Sequence, residues 1–146
     1  MDSTQDSGSV RFIGEVKEVD GKFSVIRLHA EYCDGLLHIE DYSHLIILYW
    51  FHERDNEKHR QTIQVVPRRH GQTTLRGVFA SRSPSRPNPV GLCVVRLQSV
   101  DGCELKVENL DAFQGSPIVD IKPYLPRNDI IPDAKAPEWF IGGPEH

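Results

Sequence analysis

Two Asp-Gly pairs, each set between stretches rich in β-forming residues, constrain the fold of this chain more than any other feature of its sequence. Each pair separates two such stretches: Asp20-Gly21 lies between Arg11–Val19 and Lys22–Leu28, and Asp101-Gly102 lies between Val90–Val100 and Glu104–Glu108. Asp-Gly in this position is a strong hairpin signal, because a type I′ turn requires positive φ at both of its central residues. The sequence therefore predicts two β-hairpins.

The rest of the chain continues this pattern of short strands with little helical periodicity. Leu45–Phe51 is apolar on both faces, which predicts a buried central strand. Shorter strands are predicted at Thr62–Val66, Arg76–Ala80 and Pro117–Ile121, and only Asp34–Asp41 favours a helical turn or two. Six or more short strands separated by Pro, Gly and Asp are typical of an all-β fold, either a barrel or a sandwich.

The length of the chain predicts a single domain. Its 146 residues contain no internal repeat and no segment with the composition of a linker. We expect one domain over residues 1–146, with residues 1–9 disordered and no additional C-terminal domain. After Tyr124 the chain has four prolines, which favour an extended arm that runs over the body of the protein or over a partner. These prolines are Pro126, Pro132, Pro137 and Pro144.

Cysteine usage and the N-terminal sequence predict a cytoplasmic protein. Cys33, Cys93 and Cys103 cannot all pair and no CxxC spacing is present, which points to a reducing compartment and against a disulfide scaffold or a zinc knuckle. The polar, acidic start of the chain is the opposite of a signal peptide. The longest apolar run is far shorter than the roughly 20 residues of a membrane helix. We expect no contact with a membrane.

The distribution of charge indicates an anion-binding face, although the total does not. The whole chain has a net charge of -4, but residues 52–96 contain nine Lys or Arg against three acids, which is a net charge of +6. Such asymmetry is typical of a surface that binds anions. Charge alone leaves open whether these side chains share one surface or are scattered over solvated loops.

A stiff basic loop is predicted over residues 81–89. Its three prolines lack an N–H and fix φ, so the loop cannot continue a strand ladder. The loop presents Arg82, Arg86 and Asn88, and a guanidinium binds carboxylate or phosphate in a bidentate fork. A flexible Arg/Ser/Pro segment is the alternative. We favour a binding loop because apolar strands adjoin it on both sides, and loops on rigid scaffolds often carry sites.

The segment around Asp120 places three polar side chains on one face of an extended strand. Alternation puts Asp120, Lys122 and Tyr124 on one side, whereas Val119 and Ile121 take the other. An acid, a base and a phenol on one face can form the wall of an active site. They can equally form a solvated face with a paired Asp and Lys, which the residues alone favour.

No set of residues in the sequence has the spacing of a metal site. His44 and His52 fall on the same face of the apolar strand, but about 26 Å apart at roughly 3.3 Å per residue, which is too far to share a metal. A histidine beside an aromatic strand is more often structural than catalytic. Glycine-rich phosphate-binding motifs and the nucleophile elbow are also absent from the sequence. We expect neither a metal nor a Rossmann-type nucleotide site.

Taken together, these stretches resemble the TrmO-like methyltransferases (the YaeB/VirR group). The resemblance extends from about residue 11 to Ala134, and five stretches carry it in the order of that family: Phe12–Gly14, Ser43–Leu45, Tyr49–His52, Gly77–Leu92 and Gln114–Pro126. Members of this family use S-adenosylmethionine to methylate N6 of threonylcarbamoyladenosine next to the tRNA anticodon. The resemblance implies a small β-barrel methyltransferase that is neither Rossmann-like nor knotted. It also implies a homodimer with the active site near the subunit interface.

The same resemblance implies a set of cofactor-binding residues. Carried over position by position, they are Phe51, His52, Arg82, Leu92, Leu110 and Asp111. Phe51 or His52 would stack on adenine, and Arg82 would hold the methionine carboxylate. Asp111 would accept a hydrogen bond from a ribose hydroxyl. Many relatives have a longer segment with a Pro-Gly pair between the first two strands, where this chain has only Val19–Lys22.

Methyl transfer to N6 also requires a base and contacts to the substrate, but no metal, because a sulfonium is already activated. The candidate bases, in order of preference, are Asp120, Tyr124 and His44. The candidate contacts to RNA phosphate or to the threonine carboxylate are Arg86, Asn88 and Lys122. Two alternatives remain open: a methyltransferase that acts on another RNA or a small molecule, and a non-enzymatic β-barrel that binds RNA or an anion through its arginine loop.

Overall fold

Six antiparallel strands close into a ring. The computed structural model describes residues 5–140, and its strands are β1 (Gly14–Asp20), β2 (Phe23–Leu28), β3 (His44–Trp50), β4 (Gln64–Val65), β5 (Arg76–Gly77), β6 (Val90–Asp101), β7 (Glu104–Glu108) and β8 (Pro117–Pro123). The ring has the order β1-β2-β7-β6-β3-β8, and β8 pairs with β1 to close the barrel. β4 and β5 pair separately. The prediction of an all-β fold is confirmed in part, since the fold is mostly β with a few short helices.

Both predicted hairpins are present, but their turns are not of the predicted type. β1 pairs with β2 as far as Asp20 and Phe23, so the loop consists of Gly21 and Lys22. Only Gly21 has positive φ, at 61°, and Gly102 has the same value in the hairpin of β6 and β7. A type I′ turn requires positive φ at both positions, whereas glycine at the first loop position fits type II′.

Alternate side chains of the ring fill its interior. In β3 the inward residues Leu45, Ile47 and Tyr49 are at most 1% exposed. They contact inward residues from all five other strands of the ring, among them Val16, Ile26, Val95, Leu105, Val107 and Ile118. This core fixes the strands, and so positions the loops at both ends of the ring.

The prediction that Leu45–Phe51 is buried on both faces is wrong for the outer face. Ile46 and Leu48 point outward and are only partly buried. They pair with Val94 and Leu92 of β6, which are 43% and 39% exposed. A barrel encloses only one face of its sheet, so even a central strand buries only every second side chain. These four residues form a strip that we call the outer apolar face.

The shorter predicted elements are present, with different bounds. Two 3-10 helices, Ala30–Leu36 and Ile39–Asp41, cover the predicted helical turns. The predicted strand Arg76–Ala80 is reduced to β5, and Val78–Ala80 forms a 3-10 turn instead. The α-helices are α1 (Glu57–Arg60) and α2 (Pro126–Asp129). Within residues 5–140, no helix has the length and apolar character needed to cross a membrane.

The cysteine pattern argues against a disulfide scaffold, yet two of the three cysteines are paired. Cys33 and Cys103 form a disulfide with their Cα atoms 5.2 Å apart, and Cys93 is free. The bond joins the first 3-10 helix to the turn between β6 and β7. The two residues are 70 positions apart in sequence, and the pairing of β2 with β7 brings them together.

The two ends of the chain were predicted to be loose and extended. Residues 5–9 are exposed and outside any helix or strand, whereas residues 1–4 and Pro144 lie outside the described residues. The C-terminal arm begins with a short helix, α2, because Pro126 is at its start, where a missing N–H costs nothing. Its far end packs Trp139 and Phe140 against His70, at ring distances of 5.5 and 5.2 Å.

Candidate functional site

Two adjoining clefts lie at the end of the ring where β3 ends and β6 begins. The arginine cleft has a volume of about 250 Å³, and its walls include Phe51, Phe79, Arg82, Arg86, Gly91 and Leu92. The aromatic cleft has a volume of about 200 Å³, and its walls include Phe51, His52, Glu53, Arg54, Phe113 and Ser116. Four of the six predicted cofactor residues therefore line one cleft or both: Phe51, His52, Arg82 and Leu92.

The volumes indicate that a small molecule would occupy both clefts together. Each cleft alone is smaller than the roughly 300–1,000 Å³ of a typical small-molecule site. The two share Phe51 as a common wall, and as a pair they fall within that range. An elongated ligand with an anionic end and an aromatic end matches the guanidinium of one cleft and the rings of the other.

The predicted basic loop is held in place by its own serines. Ser81, Ser83 and Ser85 are buried, at 8%, 5% and 5% exposure. The N–H of Ser83 donates to Ser81 Oγ at 3.4 Å, and the N–H of Ser85 donates to Ser83 Oγ at 3.2 Å. These hydroxyls replace the ladder partners that a proline-rich loop cannot have. The structure thus agrees with a stiff loop rather than a flexible segment.

Arg86, a predicted substrate contact, braces this loop from within. Its Nη1 donates to the carbonyls of Ser81 at 3.2 Å and Ser83 at 3.0 Å. Partial burial, followed by the nearby charge of Arg82, lowers the pKa of Arg86 below its usual value. Arg82 is exposed at the cleft, whereas Arg86 is partly buried. The two arginines of the motif therefore differ in what they are positioned to do.

A second network ties the loop to α1. Ser85 Oγ accepts a hydrogen bond from Arg54 Nη1 at 2.8 Å and lies 2.9 Å from His59 Nδ1. Burial, followed by the charges of Arg54 and Lys58, lowers the pKa of His59. A neutral imidazole can accept the hydroxyl proton of Ser85 at Nδ1. The predicted contact Asn88 lies at the far end of the same loop, 3.5 Å from Arg60 Nη2.

The two remaining cofactor candidates, Leu110 and Asp111, lie behind the clefts. Tyr49 Oη donates to the Asp111 carbonyl at 2.5 Å, and Tyr49 packs edge-on against Phe51 at 5.3 Å. Burial, followed by the charge of Asp111, raises the pKa of Tyr49, so the phenol stays protonated as a donor. Leu110 is 8% exposed and belongs to the core. Its side chain thus serves packing.

Gly91 has a packing role that explains why the arginine cleft exists. A Cβ at this position would lie 2.7 Å from both the Phe51 and the Tyr49 ring carbons at Cζ. Any side chain on Gly91 would therefore displace the ring that forms the common wall of the two clefts. The absence of a side chain lets Phe51 pack directly on the backbone of β6.

Two of the predicted polar residues lie away from the clefts, on the outside of β8. Asp120 and Lys122 form an ion pair at 3.1 Å, and their registers are opposite Leu48 and Ile46 of β3. Asp120 Oδ1 also accepts the N–H of Ile121 at 2.9 Å. The shared face predicted for Asp120 and Lys122 is present. It borders the outer apolar face rather than either cleft.

The remaining candidates, His44 and Tyr124, are close to each other but far from the clefts. The N–H of Tyr124 donates to the His44 carbonyl at 3.0 Å, and their rings are 6.4 Å apart. His44 begins β3, whereas the clefts adjoin the end of that strand, about 20 Å away at roughly 3.3 Å per residue. Among residues 5–140, no group of three His, Cys, Asp or Glu is placed to hold a metal.

Several lining residues were not singled out from the sequence. Phe79, Glu53, Arg54 and Ser116 border a cleft although nothing in their local pattern marks them. Phe79 and Ser116 lie within stretches that carry the family resemblance, which was the only available signal. Glu53 and Arg54 directly follow His52 and reach the cleft because a 3-10 turn begins there.

The fold is that of the TrmO class of proteins. The crystal structure of TrmO from Pseudomonas aeruginosa aligns with a TM-score of 0.72 and 27% sequence identity, covering 94% of this chain and 63% of that one. The model of the family described as tRNA-methyltransferase O N-terminal domain matches residues 15–130. This chain belongs to that family. The resemblance noted in the sequence is confirmed.

Two named relatives indicate the chemistry to consider. An S-adenosyl-L-methionine-binding protein of Archaeoglobus fulgidus is 49% identical over 108 residues, which are 74% of this chain and 73% of the relative. The tRNA (adenine(37)-N6)-methyltransferase of Escherichia coli is 41% identical over 127 residues, 84% of this chain and 53% of that enzyme. The chain thus spans about half of the bacterial enzyme and less than two thirds of the solved structure.

Proposed function

We propose that this protein is an S-adenosylmethionine-dependent tRNA methyltransferase that acts on N6 of the adenosine next to the anticodon, with threonylcarbamoyladenosine as the nucleoside it modifies. The observation that carries the proposal is the pair of clefts joined at Phe51, with Arg82 exposed in one and aromatic rings in the other. Family membership and the identity to the bacterial tRNA methyltransferase support the same reaction. A tRNA substrate would place this reaction in the cytoplasm.

The chemistry of the lining residues fits S-adenosylmethionine. The guanidinium of Arg82 can bind the carboxylate of the methionine moiety in a bidentate fork. Phe51, His52 and Phe113 offer ring faces for an adenine. Asp111, whose carbonyl accepts a hydrogen bond from Tyr49 behind the clefts, remains our proposed acceptor for a ribose hydroxyl. When bound, the cofactor supplies a methyl group on an already activated sulfonium.

The chain's own residues would orient the adenine and accept its proton. As the bond from N6 to the methyl carbon forms, N6 must lose a proton, and a positioned base accelerates that loss. Asp120, Tyr124 and His44 remain our proposed bases. His44 and Tyr124 lie at the far end of β3, so they would reach a cleft across a subunit interface, whereas Asp120 lies opposite Leu48 on the outer side of the ring.

We propose a homodimer that forms through the outer apolar face. This face exposes Val94 and Leu92, and Leu92 also lines the arginine cleft. An interface related by two-fold symmetry would bury the apolar strip against its copy and bring the second subunit to the edge of the cleft. The ion pair of Asp120 and Lys122 at the border supplies a polar rim.

Contacts to tRNA would come from the basic segment 52–96. Arg54, Arg82 and Arg86 of this segment line the clefts. Neutralising phosphate supplies much of the affinity for nucleic acid. Arg86 and Asn88 would act mainly by holding the loop that presents Arg82, whereas Lys122, with 60% of its side chain exposed, can meet a phosphate directly.

Nucleoside mass spectrometry tests the proposal. The protein and S-adenosylmethionine are incubated with tRNA that carries, or lacks, the threonylcarbamoyl group. We expect the modified nucleoside to gain the mass of one methyl group only in the threonylcarbamoylated tRNA. A gain in both tRNAs would contradict the threonylcarbamoyl specificity alone. No gain in either, with RNA binding that is indifferent to the cofactor, would overturn the enzyme in favour of a binding module.

A further inference from the structure

Phe79 projects from the wall of the arginine cleft into solvent. Its side chain is 80% exposed, and among the large apolar residues from 5 to 140 only Leu37, at 78%, is comparable. Burial of a phenylalanine side chain typically contributes about 1.5–3 kcal/mol, so a ring left in water at the edge of a binding cleft forgoes that contribution. A single exposed apolar side chain is common on protein surfaces, and what distinguishes this ring is its place in the wall of a cleft.

Hydrogen bonds hold the backbone that carries this ring in place. Phe79 lies in the 3-10 turn Val78–Ala80, in which Val78 is fully buried. The N–H of Val78 donates to the Ile63 carbonyl at 2.9 Å, and the N–H of Ser81 donates back to the Val78 carbonyl at 3.3 Å. The turn is thus anchored on both sides of Phe79. Covering the ring with a ligand would therefore cost little backbone entropy.

The surroundings of Phe79 select the chemistry of that ligand. Arg82 and Arg86 line the same cleft, and none of the lining residues that the structure describes is acidic. An exposed aromatic ring beside guanidinium groups is the arrangement with which proteins bind unpaired nucleotides, because the ring stacks on a base while the cations meet the backbone. A second apolar protein surface would be better served by the outer apolar face, which carries aliphatic side chains.

We infer that Phe79 is a stacking platform for an unpaired base of the RNA substrate, adjacent to the base that enters the clefts. This inference rests on the proposed function, and it names a contact by which that site recognises a single-stranded loop. Placing one base of a loop in a cleft separates it from its neighbours. A neighbouring base then has an open face, which the ring of Phe79 can cover at the rim.

The test is RNA binding by variants of Phe79, measured by fluorescence anisotropy without cofactor. The probes are a stem-loop RNA with an unpaired loop and the same stem closed as a full duplex. We expect Phe79→Ala to weaken stem-loop affinity about 5- to 150-fold, which is the range measured for loss of one base-aromatic stack. Phe79→Leu should lose most of the same affinity because it keeps apolar area but has no π face, whereas Phe79→Trp should retain it.

Leu37→Ala is the matched control, since Leu37 is equally exposed and lies between the two 3-10 helices, away from the clefts. It should leave RNA affinity unchanged. Phe79→Trp also reports on stacking directly. Its additional tryptophan should fluoresce, and a base stacked on that tryptophan should quench the added fluorescence. Circular dichroism and thermal melting check that each variant is folded.

Four results would overturn the inference. Equal stem-loop affinity of wild type and Phe79→Ala would exclude the stack while leaving the proposed function intact. If Phe79→Ala loses affinity for S-adenosylmethionine by calorimetry, Phe79 would be assigned to the cofactor site. If Phe79→Ala changes the mass measured by light scattering, Phe79 would be assigned to a subunit interface. A wild type that binds neither RNA would overturn the proposed function and the inference with it.

Discussion

Single side chains near the clefts divide into those that build the site and those that face a ligand. Arg86 forms hydrogen bonds within the loop, Ser85 links the loop to the segment around α1, and Tyr49 forms a hydrogen bond to the backbone behind the clefts. Arg82 and Phe79 are exposed at the cleft instead. Substitutions in the first group should therefore change stability and cleft shape, whereas those in the second should change binding.

Replacing Arg82 with alanine should weaken binding of S-adenosylmethionine about 10- to 100-fold. A hydrogen bond to a charged group contributes about 1.5–3 kcal/mol, and Ala removes both arms of the fork. Isothermal calorimetry measures the affinity. Arg68→Ala is the control, because Arg68 is an exposed arginine of the same basic segment outside both clefts. Equal affinities of Arg82→Ala and wild type would refute the assignment.

Gly91→Ala should destabilise the protein by about 1–3 kcal/mol and weaken cofactor binding at the same time. The new Cβ would overlap the rings of Phe51 and Tyr49, and overpacking of a filled core carries a cost of that size. Urea unfolding measures the change. Gly35→Ala is the control, since a Cβ there meets nothing within 4 Å and φ is not positive. Its free energy of unfolding should fall little or rise slightly.

The free energy of unfolding should depend on pH through His59. The folded pKa of His59 lies below its ordinary value of 6.5, so between these two values the unfolded chain binds more protons. The contribution is fully present above 6.5 and is lost as the pH falls toward the folded pKa. Urea unfolding from about pH 5 to pH 8 should show a smaller slope for His59→Gln than for wild type. Parallel curves would contradict this.

The strands and turns of this fold largely form where the local sequence predicts them. They differ from that prediction where residues distant in sequence meet in the ring. Glycine at the first loop position turns both hairpins, and the aspartates that precede it end the strands. The apolar sequence of β3 predicts burial on both faces, yet the ring encloses only one of them. The disulfide joins a 3-10 helix to a hairpin turn that lies far away in sequence.

Removing the disulfide should lower the free energy of unfolding by about 2–4 kcal/mol, because a loop closed over 70 positions restricts the unfolded chain. Urea unfolding with and without dithiothreitol measures the change. The Cys33→Ser, Cys103→Ser double variant should be insensitive to the reductant. Thiol titration of the unreduced, unfolded wild type should find one of the three cysteines free. Three free thiols would refute the bond.

At the scale of the whole molecule, the clefts and the proposed bases lie on different parts of the ring. The clefts open at the end where β3 ends, and His44 and Tyr124 lie at the other end. The outer apolar face runs between these regions on β3 and β6. One subunit therefore has a binding site without the proposed bases beside it, which is the physical argument for the homodimer.

Val94→Glu should convert the proposed homodimer to single subunits, because a charge would be buried in the centre of the outer apolar face. Light scattering coupled to size exclusion measures the mass. Val19→Glu is a matched control, since Val19 is a strand valine with 42% exposure against 43% for Val94, and it lies on β1. A single-subunit mass for the wild type, or an unchanged mass for Val94→Glu, would contradict the proposed interface.

The sequence by itself determined the strand-rich fold, both hairpins, the stiff loop around Arg82 and the family, because these depend on local periodicity, turn residues and contiguous motifs. Only the tertiary structure decided that Cys33 pairs with Cys103 and that His44 and Tyr124 lie far from the clefts. These facts concern residues whose neighbours come from distant positions in the chain. Which residues become such neighbours depends on which strands pair in the ring, and strand pairing leaves no local pattern in the sequence.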